Sequence, residues 1–437
     1  MNKFITGSRI LRFRAAGGVS VAMTALLVVG LFIPIPPASA DTLDATINIT
    51  KEYSLLGIAI NPGGTYAYVT NELGTVSRIN LATNMVDATI NTFDVAGSVT
   101  INPAGTFAYV IGIGESAMVS RINLATNKVD AEISNSGQVS MAINPTGTFA
   151  YVASIGFNRV IRINLASNKV DAIIQPVYLS PKGAQSESSS WQAIAINPAG
   201  TLAYVTSLPY FNHKTSVQEA GVVSRINLAT NKVDATIIVG DEPEGIAINP
   251  AGTFAYIADR KSGTISRINL ATNKLDTTIK VGDDPRYVRI NPTGTFAYVT
   301  NRRSNTVSKI NLATNNVDAT IAVGKKPSDL AINPFGTFAY VVNEGSGTVS
   351  KIKLANAIPL VTPTEPVSSS AIAAYSKLTI PNGATISINV APSSTKYCKV
   401  SGSTLRGIKT GPCTVSVSVK PKSGKAVSKT MTFTVSK

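Results

Sequence analysis

The side chains that could do chemistry in this chain are few, and their number limits the sites it can build. The sequence has one histidine, His213, and two cysteines, Cys398 and Cys413. Zinc and haem sites need several such ligands, so we expect no metal and no cofactor. A Ser-His-Asp triad would depend on His213 alone, and no Gly-x-Ser-x-Gly motif is present. The composition therefore favours a protein that is not an enzyme.

His213 belongs to a group of unusual side chains that points to binding. Two segments, 175–191 and 208–222, contain the single tryptophan of the chain and several other aromatic and polar residues. Aromatic rings beside polar groups are typical of surfaces that bind carbohydrate, peptide or protein. The candidate binding residues in these segments are Tyr178, Trp191, Tyr210, Phe211, Asn212 and His213. The alternative is that the two segments only cover each other's apolar groups.

Both segments interrupt a phrase that the chain repeats seven times. An Ile-Asn-Pro motif recurs with its isoleucine at positions 60, 101, 143, 196, 248, 290 and 332. The intervals are 41 or 42 residues, apart from 53 and 52 where the two segments are inserted. A period near 42, with dense β-branched residues and regular Gly and Pro turns, is typical of propeller blades. The sequence therefore predicts an all-β fold with a seven-bladed β-propeller.

The expected connectivity places both insertions on one face of this propeller. Each repeat contains four predicted strands. One insertion joins blades three and four, and the other joins the second and third strands of blade four. In an antiparallel meander these two kinds of connection emerge on the same side. Since long loops on a rigid scaffold often carry function, we expect a binding site on this face near blade four.

A basic residue in the third strand and an aspartate in the fourth recur from blade to blade. The pairs are Arg78–Asp87, Arg121–Asp130, Arg162–Asp171, Arg225–Asp234, Arg267–Asp276 and Lys309–Asp318. Counting outward from a two-residue turn at 82–83 places Arg78 opposite Asp87. Because the pair recurs, we interpret it as a cross-strand salt bridge that favours the register and contributes ~0.2–1 kcal/mol in each blade.

The seventh blade lacks its fourth strand at the end of the repeats. The missing phrase stands near the other end of the chain, at residues 43–47. We therefore predict that an N-terminal strand completes the seventh blade, with Asp44 facing Lys351. Such closure removes the open sheet edges that favour aggregation.

Arg289 is an exception within the repeat and a further candidate binding residue, together with Asp284. Five other blades have alanine at the position of Arg289, and one has Thr100. Arginine at a packed, small-residue position needs a partner or a route to solvent, and Asp284 or Asp329 could supply the partner. Nearby loops carry an acidic group of residues beside a basic one: Asp241, Glu242, Glu244 and Asp283 with Arg286, then Arg260, Lys261, Arg302, Arg303, Lys325 and Lys326. Solvated loop charges are the alternative interpretation.

Residues 68–71 and 298–301, both Tyr-Val-Thr-Asn, and the recurring Ile-Asn-Pro-x-Gly-Thr and Ile-Asn-Leu-Ala-Thr-Asn phrases resemble the YVTN-family β-propeller repeat. The resemblance covers about residues 43–354 and implies an exported bacterial or archaeal surface protein. The family motif is scaffold and defines no catalytic residues. Propeller lactonases and streptogramin lyases also have seven blades, but this chain has no second histidine and no recurrent central His/Glu set. A lactonase-like hydrolase or lyase that uses the face around His213 is the alternative.

The first 40 residues predict export. They contain four basic residues and no acid, an apolar run from 19 to 33, and the ending Ala38-Ser39-Ala40. This order is typical of a secretory signal peptide, so we expect cleavage after Ala40. The apolar run is shorter than the ~20 residues of a membrane-spanning helix, and no second run follows. We therefore expect a mature chain without a transmembrane segment, secreted or held at the cell envelope.

A different kind of sequence follows the repeats, which we expect to occupy 41–354. Residues 355–370 are rich in Pro, Thr and Ser and predict a linker. Residues 371–437 alternate polar and apolar side chains and predict a small β-sandwich, similar to the immunoglobulin-like modules of bacterial surface proteins. In an exported protein, Cys398 and Cys413 are expected to form a disulfide.

The positive charge of the chain is concentrated in this C-terminal module. The whole chain has a formal charge of +15, and residues 363–437 hold ten Lys and Arg against one acid. Such a surface predicts attraction to anionic cell-envelope polymers, and solubility alone is the alternative. The module has few aromatic rings for stacking on bases, so nucleic acid is not an expected partner.

Together these features favour an exported, non-enzymatic scaffold. One propeller face near blade four would bind a protein, peptide or glycan ligand, and the basic module would associate with the envelope. A purely structural surface-layer component is a third interpretation, beside the hydrolase or lyase.

Overall fold

The structure is a computed structural model of the 437-residue chain. The residues it describes are 40–50, 54–92, 95–113, 118–134, 138–154, 159–174, 191–207, 211–212, 217–218, 221–355, 367–368, 385–390, 398–401, 404–407, 411–420 and 427–435. The predicted signal peptide, apart from Ala40, and most of the predicted linker lie outside these residues.

Seven four-stranded antiparallel sheets form the seven blades that the repeats predict. The first strand of each blade contacts the first strand of the next, and the first strands of blades one and seven contact each other, so the blades close into a ring. The residues described contain no helix. The chain is an all-β protein built on a seven-bladed β-propeller.

The strands are numbered in chain order, beginning with β1 (Thr42–Asn48). Blades one to three contain β2–β5 (Leu55–Ile60, Tyr66–Asn71, Thr75–Asn80, Met85–Asn91), β6–β9 (Val95–Ile101, Phe107–Ile113, Met118–Asn123, Lys128–Ser134) and β10–β13 (Gln138–Ile143, Phe149–Ser154, Arg159–Asn164, Lys169–Ile174). Blade four contains β14, β15, β18 and β19 (Trp191–Ile196, Leu202–Ser207, Val222–Asn227, Lys232–Ile238), and its long loop holds the hairpin β16–β17 (Phe211–Asn212, Val217–Gln218). Blades five to seven contain β20–β23 (Pro243–Ile248, Phe254–Asp259, Thr264–Asn269, Lys274–Lys280), β24–β27 (Pro285–Ile290, Phe296–Asn301, Thr306–Asn311, Asn316–Ala322) and β28–β30 (Pro327–Ile332, Phe338–Asn343, Thr348–Lys353).

Strand β1 completes blade seven, which confirms the predicted closure. It pairs antiparallel with β30 and gives the sheet order β1-β30-β29-β28. The carboxylate of Asp44 lies 3.2 Å from Lys351 Nζ. The two ends of the repeat region therefore share one sheet, and unfolding either end opens the ring.

The Asn-Pro-x-Gly phrase forms the turn between the first and second strands of each blade. In blade one, Asn61 Oδ1 accepts hydrogen bonds from the backbone N–H groups of Thr65 and Tyr66, each at 2.9 Å. The glycine of this turn serves two purposes in blade two. Gly105 has a φ of 68°, and a Cβ there would lie 3.0 Å from Pro62 of the preceding blade. The turn thus packs each blade against its neighbour.

The threonine of the Tyr-Val-Thr phrase joins neighbouring blades by hydrogen bonds. The hydroxyl of Thr206, which is fully buried, accepts the N–H of Ala193 in its own blade at 2.9 Å. It donates to the carbonyl oxygen of Glu244 in the next blade at 2.7 Å. Thr70 and Thr300 make equivalent bonds in blades one and six. The hydroxyl supplies a partner where a bulge interrupts the backbone ladder between first and second strands.

One tyrosine per blade fills the core between blades. These side chains are 0–3% exposed and belong to Tyr68, Tyr109, Tyr151, Tyr204, Tyr256, Tyr298 and Tyr340. Each packs among β-branched and alanine side chains of its own and the neighbouring sheet. Aromatic residues of this size bury 150–250 Å² each, so the repeated tyrosine is a major source of ring stability.

The charged pairs of the third and fourth strands lie in a register that differs from the predicted one. Arg78 Nε is 2.7 Å from Asp87 Oδ1, and Arg267 contacts Asp276 in the same way. However, the backbone partner of Arg78 is Ala88, because a bulge makes Asp87 an extra residue in its strand. The predicted position of Arg78 opposite Asp87 is therefore wrong. The bulge turns the carboxylate toward the guanidinium.

The turn that precedes this bulge is also longer than predicted. It contains four residues, 81–84, and Asn84 has a φ of 57° in the left-handed region. The guanidinium of Arg78 lies 4.4 Å from the centroid of the Tyr66 ring in the second strand. The recurring basic residue thus contacts strands on both sides of its own, which explains its repetition as part of the scaffold.

Blade six departs from this pattern, and its predicted Lys309–Asp318 pair is not formed. Lys309 Nζ lies 2.9 Å from Asp41 Oδ1, and the two side chains are 7% and 0% exposed. The Asp41 carboxylate also accepts hydrogen bonds from the Tyr298 hydroxyl at 2.8 Å and the Ala355 backbone N–H at 2.6 Å. The residue before the first strand is therefore built into the protein interior beside blade six.

The C-terminal segment contains two three-stranded antiparallel sheets. Their orders are β31-β34-β33 and β32-β35-β36, with strands Val367–Ser368, Thr385–Val390, Cys398–Ser401, Thr404–Gly407, Gly411–Lys420 and Val427–Val435. Cys398 is buried. The side chain of Cys413 lies outside the described residues, so the disulfide stays a prediction. The residues that the structure describes include no helix that is long and apolar enough to cross a membrane.

Candidate functional site

The blade-to-blade connections and the loops between second and third strands share one face, which we call the connection face. Backbone hydrogen bonds join the two kinds of loop in each of blades five to seven. The N–H groups of Arg260, Arg302 and Glu344 donate to carbonyl oxygens in the connection that precedes the same blade, at 2.9–3.0 Å. These bonds hold the charged side chains of the loops on a fixed backbone.

Three residues in these connections adopt the left-handed backbone conformation. Glu242, Asp284 and Lys326 have φ values of 53°, 56° and 50°. Each precedes a proline that begins a first strand. A non-glycine residue with positive φ is uncommon and costs of order 1 kcal/mol. The same sharp turn therefore positions a charged side chain at three successive blade junctions.

Asp284 is the centre of an arginine cluster. Its side chain is 7% exposed, and its carboxylate lies 3.2 Å from Arg286, 3.9 Å from Arg260, 3.9 Å from Arg302 and 3.8 Å from Arg303. Four guanidinium groups from blades five and six converge on this one carboxylate. Because four cations surround Asp284, its carboxylate orients the arginines. Asp284 also lines a cavity of about 450 Å³ on this face, and its role in binding stays a prediction.

Three further acids of this region are paired with arginines of the same cluster. Glu242 contacts Arg260, Glu244 lies 2.8 Å from Arg286, and Glu344 lies 2.8 Å from Arg302. The sequence suggested an acidic group of loop residues beside a basic one. In the structure the two groups interlock across blades five to seven, so a ligand on this part of the face would meet alternating charges.

The mouth of the central opening lies beside this network. A cavity of about 190 Å³ is lined by Gly57, Gly97, Glu244, Arg286, Tyr287 and Asp329, among others. Blades one and two contribute small and apolar residues to it. Blades five to seven contribute the charged and hydroxyl-bearing side chains. The mouth is therefore asymmetric, although the ring around it is built from repeats.

Arg289 lies deeper on the same first strand, and its partner is Asp329. Arg289 Nη2 is 2.9 Å from Asp329 Oδ1, and the guanidinium lies 5.3 Å from the Tyr287 ring centroid. Of the two partners that the sequence offered, Asp329 is the one in contact. Its carboxylate also accepts the N–H groups of Leu330 at 2.8 Å and Ile58 at 3.3 Å. This pair holds blades six, seven and one together at the axis.

Burial raises the pKa of two acids in the mouth, Glu244 and Asp329. It raises the pKa of Glu244 above its usual range, and the neighbouring Arg286 opposes this shift. Burial likewise raises the pKa of Asp329, against the effect of Arg289 and two backbone N–H groups. Carboxyl groups with raised pKa values in a cleft can exchange protons with a bound molecule.

Three of the six candidate residues from the two blade-four segments lie outside the described residues. This applies to Tyr178, Tyr210 and His213. Trp191 begins the first strand of blade four, and Phe211 and Asn212 form β16, but their side chains are not described. Their role in binding stays a prediction.

The structure adds charged groups to the site that sequence reasoning did not select. Asp329 was named only as a partner for Arg289, and Glu244 and Arg286 only as loop charges. Their signal was present in the repeats: the positions equivalent to Asp329 hold Gly57, Ala193 and Gly245 in other blades. Comparison of repeats at every position of the first strand would have found them. Among the described residues, no group of three or more His, Cys, Asp or Glu is placed to hold a metal ion.

A family model described as "Lactonase, 7-bladed beta-propeller" matches residues 138–323, from the first strand of blade three to just beyond the last strand of blade six. A search of curated proteins gives no match. Among solved structures, hydrazine synthase of Kuenenia stuttgartiensis superposes with a TM-score of 0.60 at 17% identity, covering 73% of this chain and 99% of that chain. At this identity the likeness concerns the fold alone. By fold the chain is a seven-bladed β-propeller, and its residues 138–323 are similar to the lactonase type.

Proposed function

We propose that this protein is an exported, non-enzymatic binding protein whose connection face, over blades four to seven, holds a ligand. One observation carries the proposal: departures from the repeat accumulate on this face. The two long insertions next to and within blade four are predicted to lie there, and blades five to seven place charged side chains there on a hydrogen-bonded backbone. A rigid scaffold with varied side chains on one face is a common arrangement for recognition.

The proposed location is the cell surface. The resemblance to YVTN-family repeats, the predicted signal peptide and the basic C-terminal module support it. With cleavage after Ala40, the mature chain would begin at Asp41, which is buried with three hydrogen-bond donors. The C-terminal module, which we propose to be immunoglobulin-like with a Cys398–Cys413 disulfide, would contact anionic envelope polymers.

Binding to arrays of glycans, peptides and surface proteins tests the proposal. We expect wild type to bind at least one class of ligand. Two variants locate the site: Trp191→Ala/His213→Ala alters the blade-four segments, and Glu244→Gln/Arg286→Gln alters the mouth while removing both charges of one pair. One of them should weaken binding by about tenfold or more, as loss of a central contact does, without lowering the melting temperature by more than a few degrees. No binding to any array would contradict the proposal and favour the structural surface-layer component.

A second candidate function is lactone hydrolysis at the mouth of the central opening. The family-model match to residues 138–323 and the raised pKa of Glu244 support it. The carboxylate would act as a general base on water. We expect wild type not to hydrolyse a panel of lactones above the uncatalysed rate. Turnover that falls by about a hundredfold in Glu244→Gln, the size of a lost general base, would replace the binding function by this one.

A further inference from the structure

A basic cleft lies on the connection face where blades six and seven meet, next to the mouth of the central opening. Its volume is about 510 Å³, and its lining consists of Arg302, Arg303, Asn305, Lys325, Lys326 and Gly345. Four of these side chains are cationic and none is acidic. The interlocked acids and bases described above therefore give way to a single sign of charge at this junction.

The charge of this cleft results from a reversal at one blade junction. The two residues before the first-strand proline are Asp241-Glu242 at the junction of blades four and five and Asp283-Asp284 at the next. At the junction of blades six and seven they are Lys325-Lys326. The second residue of each pair has a φ of 50–56°, so the backbone is the same at all three. The reversal changes the charge and leaves the turn unchanged.

The backbone of the cleft is held by hydrogen bonds from both sides. The N–H of Lys325 donates to Ser346 Oγ at 3.1 Å, and the N–H of Lys326 donates to Asn305 Oδ1 at 2.8 Å. The N–H groups of Glu344 and Gly345 donate to the carbonyl oxygens of Lys326 and Lys325, each at 3.0 Å. The two lysines are thus fixed at the Cα position, and little backbone ordering would accompany binding.

The charges of the cleft are only partly neutralised by the protein. Glu344 is bonded to Arg302 through both carboxylate oxygens, at 2.8 and 3.0 Å. Arg303 is 80% exposed and reaches only the shared Asp284, at 3.8 Å. Within the described part of the chain, no acid lies within salt-bridge distance of Lys325 or Lys326. Three cationic groups on a fixed backbone therefore face solvent with room for a ligand.

We propose that this cleft binds a tetrahedral oxyanion, namely a phosphate or sulfate group. A guanidinium can form two parallel hydrogen bonds to such a group, and the ammonium groups add point charges around it. The inference rests on the proposed function and deepens it, because it names the chemistry by which the connection face recognises its ligand. The group is either a free ion or part of an anionic polymer.

Isothermal titration of the purified protein at low, constant ionic strength tests this inference. The probes are inorganic phosphate, inorganic sulfate, acetate as a monoanion, and polyphosphate. The variant Lys325→Asp/Lys326→Asp copies the sequence of residues 283–284, which the same turn already accommodates. The control Lys232→Asp/Lys274→Asp makes the same change in net charge at exposed positions on fourth strands.

We expect wild type and the control to bind phosphate or sulfate saturably, about tenfold or more tightly than acetate, and the cleft variant to lose about tenfold or more in affinity. If polyphosphate binds about tenfold more tightly per site than inorganic phosphate, the group belongs to a polymer. If the affinities for polyphosphate and inorganic phosphate are equal, the group is a free ion. Equal affinity of the cleft variant and wild type, or no saturable binding at millimolar phosphate, overturns the inference. If the cleft variant still binds the array ligand as wild type does, the named chemistry is wrong while the proposed function stands.

Discussion

Replacement of Asp41 by asparagine is expected to lower the free energy of unfolding by about 3–5 kcal/mol. The substitution leaves the ammonium group of Lys309 buried without a charged partner, and breaking a buried ion pair from one side has this cost. It also weakens the bonds from the Tyr298 hydroxyl and the Ala355 N–H. The melting temperature should fall by roughly 4–8 °C, which differential scanning calorimetry measures.

The strand that follows Asp41 supplies the matched control. Asp44 also forms an ion pair in β1, but its side chain is 36% exposed, so Asp44→Asn should cost less than about 1 kcal/mol. The double variant Asp41→Asn/Lys309→Met removes the unpaired charge and should recover part of the loss. Equal melting temperatures of Asp41→Asn and Asp44→Asn would show that the buried pair does not hold the closed ring.

Replacement of Asp259 by asparagine is expected to raise the free energy of unfolding by about 2–4 kcal/mol at pH 8. Near pH 4 the free energy of unfolding should change little. Asp259 is fully buried, and burial raises the pKa of its carboxyl to about 7. Its Oδ2 accepts hydrogen bonds from Ser266 Oγ at 2.7 Å and Thr264 Oγ1 at 3.1 Å, while Oδ1 has no partner. Urea denaturation of both proteins from pH 4 to 8 measures the difference.

The direction of this pH dependence follows from the number of protons that the folded and unfolded states bind. In the unfolded chain an aspartate has a pKa of about 3.9. Between about pH 4 and 7 the folded protein keeps a proton on Asp259 that the unfolded chain has released. The free energy of unfolding therefore falls as the pH rises through this window and is level above it. Asparagine carries no charge, so the variant lacks this dependence.

Blade six provides the reverse substitution. At the equivalent position, Asn301 Nδ2 donates to Thr306 Oγ1 and Ser308 Oγ, at 3.0 and 2.9 Å. Asn301→Asp should therefore create a second fall in stability between pH 4 and 7. If wild type, Asp259→Asn and Asn301→Asp have parallel curves of stability against pH, burial does not raise the pKa of a carboxyl at this position.

The architecture could be predicted from the sequence because the same repeat occurs seven times. The turn residues Asn61 and Gly64, the buried tyrosines and the alternating strands recur at fixed spacing, so one copy interprets the others. The N-terminal strand was found by the same comparison, as the copy missing from blade seven. Repetition makes such predictions strong, since each blade buries its two faces only against its neighbours.

Features that depend on a single long-range contact were not accessible in this way. The predicted register of Arg78 did not include the bulge at Asp87, because a bulge adds one residue without a composition signal of its own. Lys309 was assigned to Asp318 by analogy with other blades, whereas Asp41, distant in sequence, takes its place. The Arg289–Asp329 pair was one of two options, and only the packing of blades six and seven decides between them.

Radical footprinting of the protein, with and without its array ligand, tests most directly whether function lies on the connection face. We predict protection of the loops at 240–242, 281–284, 302–304 and 323–326 or of the blade-four segment 208–222. The turns on the opposite face, such as 61–64 and 291–294, should be unchanged. Protection of those opposite turns or of the outer fourth strands, with the connection face unaffected, would contradict this placement of the site.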